Sequence, residues 1–285
     1  MPWSKFPGRR INIWHFSDVR DLGEGPREPV GGAARMASAI HHAEAALGSA
    51  PLVLFSGGAL GPSDAVVLAR GEHAISALNA MQVQCAVVGN RDLAFGLERF
   101  EELSRLSAFP WLLSNARLAK GGGPVPGTER SRIIEHLGVR VGLIGLVDGH
   151  WAAPAGADDA VLECLDAVEE ARVLASQLRQ DGAEIVVALT HARAAVDRAL
   201  CSQVPEVDLV LGGHDGSYEA SGGVQRERRA SAQRRGTVGE ITAPVVPAGS
   251  AGAAPHDVDG QVGESAADGV AAGRVGAAAG PARAH

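Results

Sequence analysis

The sequence predicts an α/β layered fold. Its strand candidates are short apolar runs that end in glycine or polar residues, which is typical of strands buried on both faces. Longer stretches with apolar residues at three- and four-residue steps lie between them and predict helices that cover a sheet. The chain has 285 residues, of which 46% are hydrophobic and 21% charged. This composition provides enough apolar material for a core and excludes a fully disordered chain.

Eight segments have the strand pattern. In chain order they are 11–17, 51–57, 84–90, 111–115, 131–137, 140–146, 184–191 and 207–213. They are rich in Val, Ile and Leu, and most carry no charge inside the apolar run. The glycine- and proline-rich segment 121–127 predicts a turn or surface loop between two of them.

Helices are predicted over four segments that lie between these strands. In chain order they are 33–47, 64–79, 97–106 and 161–178. In the first, Met36, Ile40, Ala43 and Leu47 recur at the spacing that places them on one face of a helix. Strands that alternate with such helices indicate a layered arrangement rather than an all-β or all-α fold.

The composition changes near Tyr218. After Glu219 the sequence contains no Phe, Trp, Tyr, Leu or Met. Such a segment buries too little apolar surface to offset an ordering entropy of ~1–2 kcal/mol per residue. We therefore predict a domain over 1–218 and a disordered Ala/Gly/Arg-rich tail over 219–285. The arginines of this tail leave open an arm that binds an anion or a partner.

The charge balance restricts the class of partner. The 26 Lys and Arg against 33 Asp and Glu give a net charge of −7, which is unfavourable for general binding of nucleic acid or anionic membranes. The three cysteines share no metal-binding spacing and indicate no disulfide framework. No run reaches the ~20 apolar residues of a membrane span, and the N-terminus lacks the pattern of a targeting segment. We expect a cytoplasmic protein with no nucleic-acid or membrane partner, in an oligomeric state that the sequence leaves open.

Polar side chains end several of the predicted strands. Asp18 follows the first strand, Asn90 the third, and His191 and His214 end the last two. Sites in α/β folds form at the carboxyl ends of strands, and carboxylate, amide oxygen and imidazole are ligands for Mn²⁺, Zn²⁺ or Fe. Each histidine alone is more often structural, but the shared placement predicts one common site.

The order of these motifs resembles the calcineurin-like metallophosphoesterases, and specifically their 5′-nucleotidase branch. The matching stretches are 16–19, 31–35, 52–58, 62–63, 88–92, 95–96, 114–115, 141–146, 189–191 and 208–215. The resemblance implies a sandwich of two mainly mixed β-sheets flanked by helices (α/β/β/α). It also implies hydrolysis of phosphate monoesters with two metal ions. The family has further strands after the last histidine motif, so C-terminal sheet strands are expected to be missing here, unless the tail supplies one at 241–242 or 245–246.

The family pattern is broken at four positions. Arg20 and Gly216 stand where the family has histidines, Gly58 replaces its bridging aspartate, and Arg91 occupies the position of its catalytic histidine. Arginine neither binds metal nor transfers a proton near neutral pH. By this resemblance no catalytic residue is intact, and we expect an impaired or inactive hydrolase, that is, a pseudoenzyme.

The family's remaining ligand positions are Asp18, Asn90, His191 and His214. We expect them to hold at most one divalent ion (Mn, Zn, Fe or Mg), or none. The leading hypothesis is therefore a metal-dependent phosphomonoester hydrolase of 5′-nucleotidase type with reduced activity, acting in nucleotide catabolism.

A non-catalytic binding module is the alternative. Arg20 and Arg91 bring two guanidinium groups to the site, and guanidinium binds phosphate through paired hydrogen bonds. The same scaffold would then bind a small phosphorylated molecule, such as a nucleotide or sugar phosphate, or a protein, without cleavage. Alternatively, the two arginines only pair with neighbours such as Asp21 or Asp92.

Overall fold

The structure, a computed structural model, describes residues 10–19, 22–23, 32–61, 69–149, 162–215, 219–221, 224–226, 238–244 and 263–265. In chain order its elements are β1 (Arg10–Phe16), α1 (Ala33–Leu47), β2 (Leu52–Phe55), α2 (Glu72–Ala80), β3 (Cys85–Val87), α3 (Leu97–Leu106), β4 (Trp111–Leu112), β5 (Ala116–Leu118), β6 (Thr128–Glu129), β7 (Ser131–His136), β8 (Val139–Val147), β9 (Leu162–Cys164), α4 (Ala167–Gln180), β10 (Ile185–Ala192), α5 (Ala194–Gln203), β11 (Leu209–His214), β12 (Glu219–Ser221), β13 (Val224–Arg226), β14 (Val238–Pro244) and β15 (Gly263–Ser265).

Within the described part of the chain, most of the strands form two sheets. One has the order β15-β14-β1-β2-β3-β4-β6 and the other the order β12-β13-β11-β10-β8-β7, while β5 and β9 form a separate pair. Strands β1 to β4 are parallel, as are β8, β10 and β11. Parallel neighbours require crossover connections, which α3, α4 and α5 provide. The carboxyl ends of these strands therefore share one edge in each sheet.

Burial alternates along the strands of the second sheet. Val187 and Leu189 of β10 belong to the core that includes the first sheet, whereas Val186 and Ala188 pack in the cluster formed with α4 and α5. The predicted two-sheet sandwich with outer helices is confirmed. The sheets approach closely at Gly145, where an added Cβ would lie 2.5 Å from the Cβ of Leu112.

Helix α4 begins later than predicted. The Asp166 carboxylate accepts hydrogen bonds from the amides of Val168 and Glu169, each at 2.9 Å, and caps the helix. The residues before this cap form β9, which pairs antiparallel with β5. The prediction of a helix over 161–178 is therefore wrong at its start, because the apolar residues before Asp166 fit a strand equally well.

Two other helices also differ from the sequence prediction. Helix α2 follows Gly71, whose φ of 90° suits glycine, while residues 64–68 of the predicted 64–79 helix lie outside the described residues. Helix α5 was not predicted. No helix in the described part of the chain is long and apolar enough to cross a bilayer.

Parts of the C-terminal segment lie in strands. Strand β14 pairs antiparallel with β1, with Ile241 opposite Ile13 and Thr242 opposite Asn12, and β12 and β13 extend the second sheet. The pairing of β14 with β1 is the predicted alternative in which the tail supplies a strand at 241–242. It corrects the expectation that the C-terminal strands are missing. The described parts of 219–285 are thus strands rather than a disordered tail. Residues 245–246 and the rest of the segment lie outside the described residues, so the boundary at 218 stays a prediction.

Candidate functional site

The carboxyl ends of β1, β2 and β3 meet those of β10 and β11 where the two sheets face each other. The imidazole Nδ1 of His191 lies 2.8 Å from the carbonyl oxygen of Ser56. An added Cβ at Gly89 would lie 2.7 Å from the amide nitrogen of Gly58 and 2.8 Å from Cε1 of His191, so only glycine permits this approach. The hydrogen bonds described next join the predicted ligand positions at this junction.

Asp18 is a buried carboxylate, 3% exposed, directly after β1. Its Oδ2 accepts hydrogen bonds from the backbone amide of His214 at 2.8 Å and from the hydroxyl of Ser17 at 3.2 Å. Asp18 and His214 have φ values of 54° and 87°, a region that non-glycine residues rarely adopt. Such conformations concentrate at functional sites, where surrounding contacts enforce them.

His191 faces Asn90 through its second ring nitrogen. The carbonyl of Ser56 can only accept, so Nδ1 of His191 carries a proton, and in the neutral form of the ring the lone pair is then on Nε2. This Nε2 lies 3.1 Å from Oδ1 of Asn90. Two ligands at right angles on one cation, with bonds of ~2.1 Å, would be ~3.0 Å apart. The pair therefore suits a shared cation or, with the amide turned over, a direct hydrogen bond from Asn90.

His214 lies next to His191, with ring centroids 5.0 Å apart and an interplanar angle of 63°. Burial lowers the pKa of His214 below its ordinary value, and a protonated His191 would lower it further. The carboxylates of Asp18, Asp148 and Asp215 act in the opposite direction. The lowered pKa favours a neutral imidazole, the form that can bind a cation.

Asp92 organises the loop after β2. Its carboxylate accepts from the amides of Gly58, Ala59, Leu60 and Gly89 at 2.7–2.8 Å. Burial raises the pKa of Asp92 above its ordinary value, whereas the amide donors and the charge of a protonated His191 act in the opposite direction. The sequence places this residue in a matching stretch but predicts no role for it in the site. Because its four hydrogen-bond donors are backbone amides, nothing in the sequence except the acidic residue itself indicates this role.

Two of the four positions at which the family pattern is broken, 58 and 91, lie in the described part of the structure, and neither supplies a bridging carboxylate. Gly58 has a φ of 90°, and an added Cβ would lie 2.9 Å from Oδ1 of Asp18. The side chain of Arg91 lies over Gly61, where an added Cβ would be 2.6 Å from both Cβ and Nε of Arg91. Arg20 and Gly216, by contrast, lie outside the described residues.

The described residues do not fit a pair of metal ions, because position 58 supplies no carboxylate between them. Among the same residues, no group of three or more His, Cys, Asp or Glu side chains is placed to hold a metal ion. A site for one cation therefore depends on the amide oxygen of Asn90 together with His191.

An ion pair that the sequence does not predict lies beside His214. Arg193 donates from Nε and Nη2 to both oxygens of Asp148, the second at 3.1 Å. The Asp148 side chain is 8% exposed and that of Arg193 is 51% exposed. Asp215 accepts from the amide of Ala194 at 2.9 Å at the start of α5. The partners in the Arg193 pair are 45 positions apart, so no local motif reveals it.

Curated proteins similar in sequence act on nucleotides according to their names. The chain is 26% identical over 164 residues to a 2′,3′-cyclic-nucleotide 2′-phosphodiesterase/3′-nucleotidase of Haemophilus influenzae, covering 51% of this chain and 25% of that protein. It is 25% identical over 192 residues to a probable 5′-nucleotidase of Treponema pallidum, covering 67% and 32%. The chain thus spans about a third or less of the length of these relatives. No family model matches it.

Solved structures share the fold. An NAD nucleotidase of Haemophilus influenzae superposes with a TM-score of 0.71 at 18% identity, covering 84% of this chain and 48% of that chain. A calcineurin-like phosphoesterase of Bacillus subtilis gives a TM-score of 0.71 at 18% identity, covering 84% and 87%. The fold is that of calcineurin-like phosphoesterases, and the homologues are of 5′-nucleotidase type, as the motif order predicted.

Proposed function

We propose that this chain, whose homologues are 5′-nucleotidases and whose fold is that of calcineurin-like phosphoesterases, binds a small phosphate monoester through a single divalent cation and hydrolyses it at a strongly reduced rate. The observation that carries the proposal is the close approach of Oδ1 of Asn90 to Nε2 of His191, 3.1 Å apart. Asp18 and His214 lie beside them.

The described residues have separate roles in such a site. Asn90 and His191 would hold the cation with an oxygen and a nitrogen lone pair, a donor set that suits Mn²⁺, Zn²⁺, Fe or Mg²⁺. His214 would add a neutral imidazole, and Asp18 a negative charge that its hydrogen bond to the amide of His214 fixes in place. When bound, the cation would polarise a phosphoryl oxygen of the ligand.

The reduced rate of hydrolysis follows from the residues at positions 58 and 91. Gly58 supplies no carboxylate to hold a second cation, and Arg91 stays protonated, so it cannot donate a proton and take it back near neutral pH. The loss of a general acid alone lowers the rate of an enzyme by ~10²–10⁴-fold. Arg91 and Arg20 would instead bind the phosphate group of a nucleotide or sugar phosphate as cations.

Metal binding tests the proposal directly. We expect the purified chain to bind one Mn²⁺ or Zn²⁺ per molecule in isothermal titration calorimetry. Asn90→Ala and His191→Gln should each weaken that binding, whereas His42→Gln, which removes an exposed histidine of α1, should not. A chain that binds neither ion, or that loses affinity equally in His42→Gln, contradicts the proposal.

A screen of phosphate esters tests the proposed slow hydrolysis. With the metal that binds, we expect turnover on nucleoside monophosphates or sugar phosphates that is slow and disappears in His191→Gln. Turnover that is fast, or that survives His191→Gln, contradicts the assigned site.

The second candidate is a phosphate- or protein-binding module without a cation. The arginine at position 91, beside Asn90 and against Gly61, favours it, because guanidinium can bind phosphate without a cation. In this case nucleotides at millimolar concentration should raise the melting temperature equally with and without a chelator. A rise that requires metal favours the first candidate.

A further inference from the structure

Ser56 is a fully buried residue at which both sheets are joined by hydrogen bonds. Its amide donates to the carbonyl of Phe16 at 2.9 Å, and its hydroxyl donates to the carbonyl of Leu211 at 2.9 Å. The hydroxyl also lies 2.8 Å from Nε2 of His15, and the Ser56 carbonyl lies 2.8 Å from Nδ1 of His191. One serine thus contacts a histidine of the first sheet and a histidine of the second.

The hydrogen bonds of Ser56 place one proton on each histidine. The Ser56 hydroxyl donates to the Leu211 carbonyl, so at its other contact it accepts from Nε2 of His15. At the contact with His191 the Ser56 carbonyl can only accept, so Nδ1 of His191 carries a proton. In their neutral forms the two rings therefore have opposite tautomers.

The surroundings of His15 agree with a neutral ring. It is 1% exposed, and burial lowers the pKa of His15 to about 3. A neutral His15 has one ring proton, which the hydroxyl of Ser56 accepts. Removing that donor would leave the hydroxyl with an unused acceptor site inside the protein, which is unfavourable.

We propose that His15 and Ser56 are positioning residues for His191. They hold the Ser56 carbonyl against the imidazole, which selects the Nδ1-protonated tautomer and directs the Nε2 lone pair towards Asn90. The proton on Nδ1 follows from the hydrogen bond to Ser56, whereas the lone pair on Nε2 and its effect on cation binding rest on the proposed function.

The tautomers can be read in the wild-type chain by NMR with ¹⁵N-labelled histidine. We expect His191 to show a protonated-type Nδ1 and an unprotonated-type Nε2, and His15 to show the reverse. His15→Gln and His191→Gln assign the two rings among the ten histidines. A wild-type His191 protonated on Nε2 overturns the proposal, and so does a His15 without a proton on Nε2.

Variants separate positioning from packing. His15→Leu removes the donor, and we expect the His191 signals to change from one tautomer to a mixture. Zn²⁺ affinity should fall by about 10–100-fold, as is typical when a partner of a metal-binding histidine is lost. His15→Gln keeps an N–H donor and should restore both. His136→Leu, which removes another buried histidine that contacts a backbone carbonyl, should change neither.

The outcomes distinguish this proposal from the proposed function. A His15→Leu chain that is less stable but keeps the wild-type His191 signals has lost packing only, and the positioning role is then wrong. If His15→Leu does not fold, the wild-type tautomers and the His15→Gln spectrum still decide. If the tautomers are as expected but no variant binds Zn²⁺, the positioning stands and the cation site fails.

Discussion

Lowering the pH from 7.5 to 5.0 should destabilise this fold through His15. In the folded chain burial lowers the pKa of His15 to about 3, whereas an unfolded histidine has a pKa of ~6.5. Between these values the unfolded chain binds a proton that the folded chain does not. The contribution of His15 to stability is therefore complete above pH 6.5 and falls as the pH drops from 6.5 towards 3.

The size of the effect follows from the pH interval. At pH 5.0 the unfolded histidine is ~1.5 pH units below its pKa, and each unit corresponds to ~1.4 kcal/mol, so His15 alone should lower the free energy of unfolding by about 2 kcal/mol. Burial also lowers the pKa of His136 and of His214. Their effect has the same sign and adds to the loss.

Urea unfolding at the two pH values, in wild type and in His15→Gln, measures this contribution. Glutamine keeps an N–H donor but does not titrate, so the variant should lose about 2 kcal/mol less than wild type between pH 7.5 and 5.0. His42→Gln, which removes an exposed histidine, should behave as wild type. If wild type and His15→Gln lose the same stability over this interval, His15 is not the buried neutral donor described above.

Three further predictions concern stability, each measured by urea unfolding. Asp92→Ala leaves four buried amides without an acceptor and should lower the free energy of unfolding by at least ~3 kcal/mol, since each such group costs ~1–3 kcal/mol; a loss below ~1 kcal/mol contradicts this account. Arg193→Met removes the two hydrogen bonds from the guanidinium to Asp148 and should lower the free energy of unfolding, by less than the loss of a fully buried pair because the arginine is half exposed; a double-mutant cycle with Asp148→Asn should show coupling. Gly145→Ala forces a methyl group into the facing sheet and should destabilise by ~1–3 kcal/mol. Gly123→Ala, with open space around it, is its control and should have little effect.

The sequence predicts the central strands well because each lies within an apolar run with clear ends, even where the strand itself is as short as β3. It does not predict β5 and β9, which lie in no such apolar run, and it predicts β4 as longer than the two residues it has. Helix α5 was missed for a related reason: its buried face includes Asp197 and Leu200, and an aspartate on that face obscures the apolar pattern.

The place of four residues at strand ends is enough to predict that the fold brings them to one junction, while their role as a site stays a prediction. Asp18, Asn90, His191 and His214 each follow or end a strand, and parallel strands bring such residues together. Their partners could not be found in this way. Ser56 acts largely through its backbone carbonyl, and Asp92 acts on backbone amides. Such contacts depend on the path of the main chain and not on residue type.

The pairing of Val238–Pro244 with β1 has a consequence for how this chain behaves towards its own copies. Without that partner, β1 would end its sheet with a row of free amide and carbonyl groups flanked by Ile11 and Ile13. Exposed apolar edges of this kind act as templates for intermolecular strand addition and aggregation. We therefore expect the pairing of β14 with β1 to protect the domain from self-association, and a chain shortened before residue 238 should self-associate even if its site is intact.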